Sequence, residues 1–85
     1  MSRHDKFLLR IMRGQADADI QFGDLCALLE RLGFQVRVRG DHHIFTKDGI
    51  VEIINLQPLG AKAKPYQVKQ VRNILRAHNL NEEKK

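Results

Sequence analysis

Phe34-Gln35-Val36-Arg37-Val38-Arg39-Gly40-Asp41-His42-His43-Ile44-Phe45 alternates apolar and polar residues up to a glycine, then resumes in strand-forming residues. The two-residue period of Phe34, Val36 and Val38 is that of a strand with one buried face. Gly40-Asp41 suits a tight hairpin turn, because glycine tolerates positive φ at its first position. A second strand follows over His42 to Lys47, and Asp48-Gly49 is another hairpin signal. The β-branched run from Ile50 to Leu56 completes a three-stranded antiparallel meander.

Working outward, the residues before the meander read as two helices. Ser2 and Asp5 form a weak capping box, and Phe7, Leu8, Ile11 and Met12 recur at helical spacing until Gly14. Gln15 to Asp19 is a polar connector. Phe22, Leu25, Cys26, Leu29 and Leu32 then make one apolar stripe with Leu28 beside it, and Gly33 supplies the left-handed cap. After the meander, Gln57 to Lys64 reads as a loop. Pro65 opens a last helix buried through Val68, Val71, Ile74 and Leu75. From Asn79 the chain should fray into the charged tail Glu82-Glu83-Lys84-Lys85.

The expected fold is therefore α+β, in the order α-α-β-β-β-α, with helices packed on one face of the sheet. With 85 residues the chain has room for one core, and we expect one domain. Within it, 1–20 form a helical extension, 21–80 the core and 81–85 a frayed tail. Cys26 is the only cysteine, so an internal disulfide is excluded. No secretory signal or membrane-spanning run is seen, and cytoplasmic residence is expected by default. The formal charge of +5 favours a polyanionic partner, although the charges are interspersed with acids.

If both turns hold two residues, Val38 lies opposite His43 and Arg39 opposite His42. Phe34, Val36, Val38, His43 and Phe45 then face the helices, while Arg37, Arg39, His42 and Thr46 line the open side. The same register puts Asn55 next to His42 and places Glu52 awkwardly among core residues, which warns of a bulge.

Adjacent strand residues point to opposite faces, so His42 and His43 cannot readily share a metal ion. No Cys or carboxylate stands at zinc-ligand spacing either. No metal site and no cofactor are expected. Phosphate-binding glycine loops and a Gly-x-Ser-x-Gly elbow are absent from the sequence. Cys26, on an apolar stripe, reads as a core hydrophobe.

A histidine beside arginines on an open sheet can accept or donate a proton near neutrality. In RNA the ribose 2′-hydroxyl is a built-in nucleophile, and a nearby cation stabilises the charge that builds on the phosphoryl oxygens. From composition alone, an ordinary surface histidine beside a turn is the commoner reading of His42. His43 should pack in the core or at its edge, and His4 and His78 read as surface residues. Lys69, Arg72 and Arg76 form one stripe of the last helix, with Lys62 and Lys64 just before it, a ridge that a phosphate backbone can follow. A solvated helix face accounts for it equally well. Tyr66 is the only tyrosine and tryptophan is absent, so base-stacking platforms are not evident.

Gly40-Asp41-His42-His43-Ile44-Phe45, after a helix ending Leu32-Gly33-Phe34, resembles the Gly-Ser-His signature of HicA-like (YcfA-like) toxins. Lys64-Pro65 and the helix through Leu75 look like that family's closing segment, so the resemblance spans roughly Phe22 to Leu80. It implies a fold like double-stranded RNA-binding domains, mRNA cleavage using the signature histidine, here His42, and inhibition by a HicB-type antitoxin protein. Asp41 stands where the signature has serine and puts an anion beside the histidine. The residues before about Ile20 precede the family's usual start.

The leading reading is thus a metal-independent endoribonuclease, or mRNA interferase. His42 moves protons, Arg37 and Arg39 steady the phosphate, and Lys62, Lys64, Lys69 and Arg72 position RNA. A non-catalytic RNA-binding module and a protein-interaction domain are the alternatives. Oligomeric state and RNA sequence preference are left open.

Overall fold

The computed structural model describes residues 2–80. Met1 and the tail expected to fray over 81–85 lie outside the described residues. Helix α1 (Arg3–Arg13) begins with a full capping box: the Asp5 amide donates to Ser2 Oγ at 3.1 Å, and the Ser2 amide donates to the Asp5 carboxylate. It ends at Gly14, whose φ of 72° is left-handed. A Cβ there would also stand 3.1 Å from the Arg72 guanidinium, which would have to shift slightly, so both backbone and space favour glycine. A 3₁₀ turn (Asp17–Asp19) leads to α2 (Phe22–Arg31).

The meander follows as β1 (Gln35–Arg39), β2 (His42–Lys47) and β3 (Ile50–Leu56), in the order β1-β2-β3 with both pairings antiparallel. The expected loop from Gln57 to Lys64 proves more regular. It contains a short ribbon, β4 (Pro58–Leu59) with β5 (Lys62–Ala63). This ribbon is tied to the segment before α2, since the Ala63 amide donates to the Ile20 carbonyl at 2.8 Å and the Phe22 amide to the Ala61 carbonyl at 3.0 Å. Helix α3 (Pro65–Ala77) completes the α-α-β-β-β-α order. Fraying does not begin at Asn79: that residue takes a left-handed φ of 57°, and the Leu80 amide returns to the Leu75 carbonyl at 2.8 Å. Leu80 packs against the core.

One core unites these elements. Leu8 and Ile11 of α1, Leu25, Leu28 and Leu29 of α2, and Val68, Val71 and Leu75 of α3 are buried together with Phe45, Ile54 and Leu56 from one sheet face. Each such side chain removed from water contributes roughly 1.5–3 kcal/mol. On that face His43 is half-buried, with the Phe22 ring edge-on at 4.9 Å between centroids. Val36 and Val38 share the face, but β1 is an edge strand beyond the helical cover, and Val38 is 55% exposed.

The sheet register corrects the expectation at one point. Lys47 pairs with Ile50 as a two-residue turn demands, but Phe45 pairs with Ile54 instead of Glu52, through an irregularity between Phe45 and Lys47. The physical reason lies in the residues. The shift replaces a carboxylate with an isoleucine opposite the fully buried Phe45 and frees Glu52 to bind His78 Nε2 at 2.7 Å. His78 is therefore a tie between α3 and β3 and not a plain surface residue.

Candidate active site

The β1–β2 hairpin positions the central residue. Gly40 turns with φ of 62°, and β2 opens at His42, which pairs with Arg39, while Arg37 pairs with Ile44. Cross-strand partners share a face, so Arg37, Arg39, His42 and Ile44 lie on the side away from the helices. Asn55 pairs with Ile44 and joins them there. Asn55 reaches His42 diagonally across the ladder: the shifted register keeps the contact, with Oδ1 3.1 Å from His42 Nδ1. Because Asn55 Oδ1 only accepts, this contact selects the imidazole tautomer with its proton on Nδ1. The lone pair is then on Nε2.

Asp41 stands on the other side of the ring, with Oδ1 3.8 Å from His42 Nε2. Its other oxygen accepts from Gln57 Nε2 at 3.0 Å, and Gln57 Oε1 accepts from Lys64 Nζ at 3.0 Å. The Gln57 backbone N–H donates to Gln67 Oε1, also at 3.0 Å. A continuous polar chain thus runs from the hairpin turn to the start of α3. The hydrogen bond from Gln57, assisted by the charges of His42 and Lys64, holds the Asp41 carboxyl below its ordinary range. Asp41 is therefore an anion at neutral pH.

The side chains read from the sequence as a basic set separate into two groups. Arg37 and Arg39 are exposed beside His42, Lys64 is joined to Asp41 through Gln57, and Lys69 is exposed on α3. Lys62 stands on the ribbon and donates to Asp19 Oδ1 at 2.9 Å. Arg72 departs from its expected place. Only 8% exposed, it donates to both Asp17 carboxylate oxygens, at 2.9 and 3.0 Å, and to the Ile11 carbonyl at 3.1 Å. It follows Val68 by four residues and so falls on the buried stripe of α3, where its charge is used to dock α1. Arg76 caps α1 similarly, donating to the Met12 carbonyl at 3.0 Å.

Gln57 and Gln67 were not singled out by the sequence. Gln67 carried a signal all the same, because a buried polar residue one position before Val68 on an apolar stripe needs a partner. Gln57 carried none. Burial pushes the Cys26 thiol up to about 11, with the Glu30 charge adding, so this sulfur stays protonated and is a poor nucleophile. Among the described residues, no group of three or more His, Cys, Asp and Glu side chains is placed to hold a metal ion, and no helix is long and apolar enough to cross a membrane.

Fold and site together define a small α+β protein that presents a histidine between an amide and a carboxylate on an open sheet flanked by arginines. The family model of the HicA toxin of bacterial toxin–antitoxin systems matches residues 22–80, and the chain belongs to that family. Helix α1 precedes the matched segment and is an addition to it. Neither the curated proteins nor the solved structures gave a match to the chain.

Proposed function

We propose that this HicA-family toxin is an endoribonuclease that cleaves mRNA by proton transfer at His42, without a metal ion. His42 Nε2 takes the proton of a ribose 2′-hydroxyl, and the 2′-oxygen attacks the adjacent phosphorus. The bond from phosphorus to the 5′-oxygen breaks, and that oxygen leaves with a proton from the imidazolium. The products are a 2′,3′-cyclic phosphate and a 5′-hydroxyl. Arg37 and Arg39 offset the negative charge that accumulates on the phosphoryl oxygens, and Asp41 stabilises the imidazolium. Lys62, Lys64 and Lys69 hold the RNA backbone. A HicB-type antitoxin covering this face would silence it.

The observation that carries this reading is the exposed His42 ring fixed at Nδ1 by Asn55, on the face that holds both arginines. Purified protein in EDTA should cut mRNA and leave cyclic phosphate ends. His42→Ala should lower the rate by about 10²–10⁴. Cutting that needs added metal, or an active His42→Ala protein, contradicts the proposal. Intact RNA bound equally by both proteins would identify a non-catalytic RNA-binding module of the kind built on double-stranded RNA-binding domains.

A further inference from the structure

Helix α1 carries Arg3, Lys6, Arg10 and Arg13 against one acid, Asp5, giving +3 of the chain's net +5 within eleven residues. These cations recur at steps of three and four residues, so they lie along one helix face about 4.5–6 Å apart in axial rise. That face borders a groove of ≈ 510 Å³ whose lining includes Arg3, His4, Lys6 and Arg10 on the α1 side and Asp24 and Ala27 of α2 on the other. The Arg3 and Lys6 side chains make no hydrogen bond or ion pair among the described residues, and Asp24 is the one carboxylate that lines the groove with them.

The groove is joined to the proposed RNA-binding loop by a shared carboxylate. Asp19 accepts from Arg10 at 3.2 Å on one oxygen and from Lys62 at 2.9 Å on the other. Lys64 lies two residues beyond Lys62 and reaches the hairpin turn through Gln57. At the other wall, α2 begins at Phe22 against His43, and Ala27 lies only about 7.5 Å further along its axis. Lys64, Lys62 and Arg10 thus mark a path from the hairpin turn toward Lys6 and Arg3, with the Asp41 and Asp19 carboxylates interposed along it.

We propose that the groove between α1 and α2 is a second phosphate-binding site, which takes the backbone of the RNA strand flanking the cleaved nucleotide. The proposal rests on the ribonuclease reading above. It makes α1, which lies outside the family's matched segment, a substrate-binding addition whose contacts are to phosphates and not to bases. Nucleic acid is favoured over an acidic protein segment because the α1 cations are evenly stepped along a line and Arg10 shares Asp19 with Lys62 of the proposed RNA-binding loop.

The test uses the full chain, its Arg3→Gln/Lys6→Gln double variant, and a labelled 2′-O-methyl oligonucleotide of about 12 nucleotides, which cannot be cleaved through a 2′-hydroxyl. Affinity is measured across salt concentrations, and cleavage of a ribodinucleotide, too short to reach the groove, is measured beside it. The variant should show a salt dependence shallower by about 1.4 in log–log slope. Its deficit relative to wild type should widen about sevenfold as salt falls from about 200 to about 50 mM. Dinucleotide cleavage should be unchanged.

Equal slopes for the two proteins would overturn the proposal while leaving the ribonuclease reading intact. An equal loss on the dinucleotide would also overturn it, since the charges would then act at His42 itself. Unchanged RNA binding with lost binding of a polyglutamate peptide would reassign the groove to an acidic protein. Wild-type protein that neither binds nor cuts RNA would remove both readings together.

Discussion

At the scale of single residues, the site is an imidazole with a different neighbour at each nitrogen. Asn55 holds Nδ1 at 3.1 Å, and Asp41 waits 3.8 Å from Nε2. The carboxylate acts in two directions, because it stabilises a protonated ring and also repels the phosphate that must approach it. Replacing it with the signature's serine separates these effects. Asp41→Ser should tighten RNA binding at low salt, by a margin that shrinks as salt screens the lost charge, and should slow cleavage of bound RNA. Filter binding and single-turnover kinetics on the same protein would check this, and unchanged affinity at low salt would show that Asp41 does not oppose the phosphate. His42, Arg37 and Arg39 were legible because strand alternation assigns faces by parity. The Gln57 link was not, since it joins a strand end to a helix start that no local period relates.

At the scale of elements, α3 shows where a sequence pattern is ambiguous. Lys69, Arg72 and Arg76 satisfy helical spacing as a basic ridge, while Val68, Arg72 and Leu75 satisfy it equally as a buried stripe. Only the arrival of Asp17 and the end of α1 decides between them, and that is tertiary information. Arg72→Ala should therefore lower stability by about 3 kcal/mol, because it strands the Asp17 carboxylate and the Ile11 carbonyl at a largely buried joint. Lys69→Ala should leave stability within about 0.5 kcal/mol of wild type and weaken RNA binding instead. Urea unfolding with parallel binding measurements would distinguish the two, and a fully stable Arg72→Ala protein would contradict the account. The third strand teaches the same lesson. Turn chemistry set its first pair correctly, but competition between Glu52 and Ile54 for the site opposite Phe45 then shifted the ladder.

At the scale of the whole molecule, the chain from α1 to Leu80 shares one core, and we expect it to unfold as a single unit. Several carboxylates tie its parts together: Asp19 takes Lys62 and Arg10, Glu52 takes His78, and Asp41 takes Gln57. These hydrogen bonds, that from Lys62 above all for Asp19 and that from His78 for Glu52, hold the folded carboxyls below their ordinary values of 3.8 for Asp and 4.5 for Glu. The unfolded chain consequently binds protons first on acidification. The stabilisation is complete above the unfolded values and is lost as pH falls through the folded ones. Melting temperature should hold steady down to about pH 5 and then decline progressively as each carboxyl titrates. A flat profile to about pH 3 would contradict these pairings. The fold class and element order were plain in the sequence, because periodicity and glycine placement are local. The packing role of α1 was not, since a short amphipathic helix reads the same whether it docks or stands apart.

The mechanism is tested most directly by a DNA strand carrying one ribonucleotide, offered to the protein in the presence of a chelator. One cut is expected, on the 3′ side of that ribose, and none when its 2′-hydroxyl is methylated. Cleavage of the methylated strand, or at a deoxyribose, would contradict it.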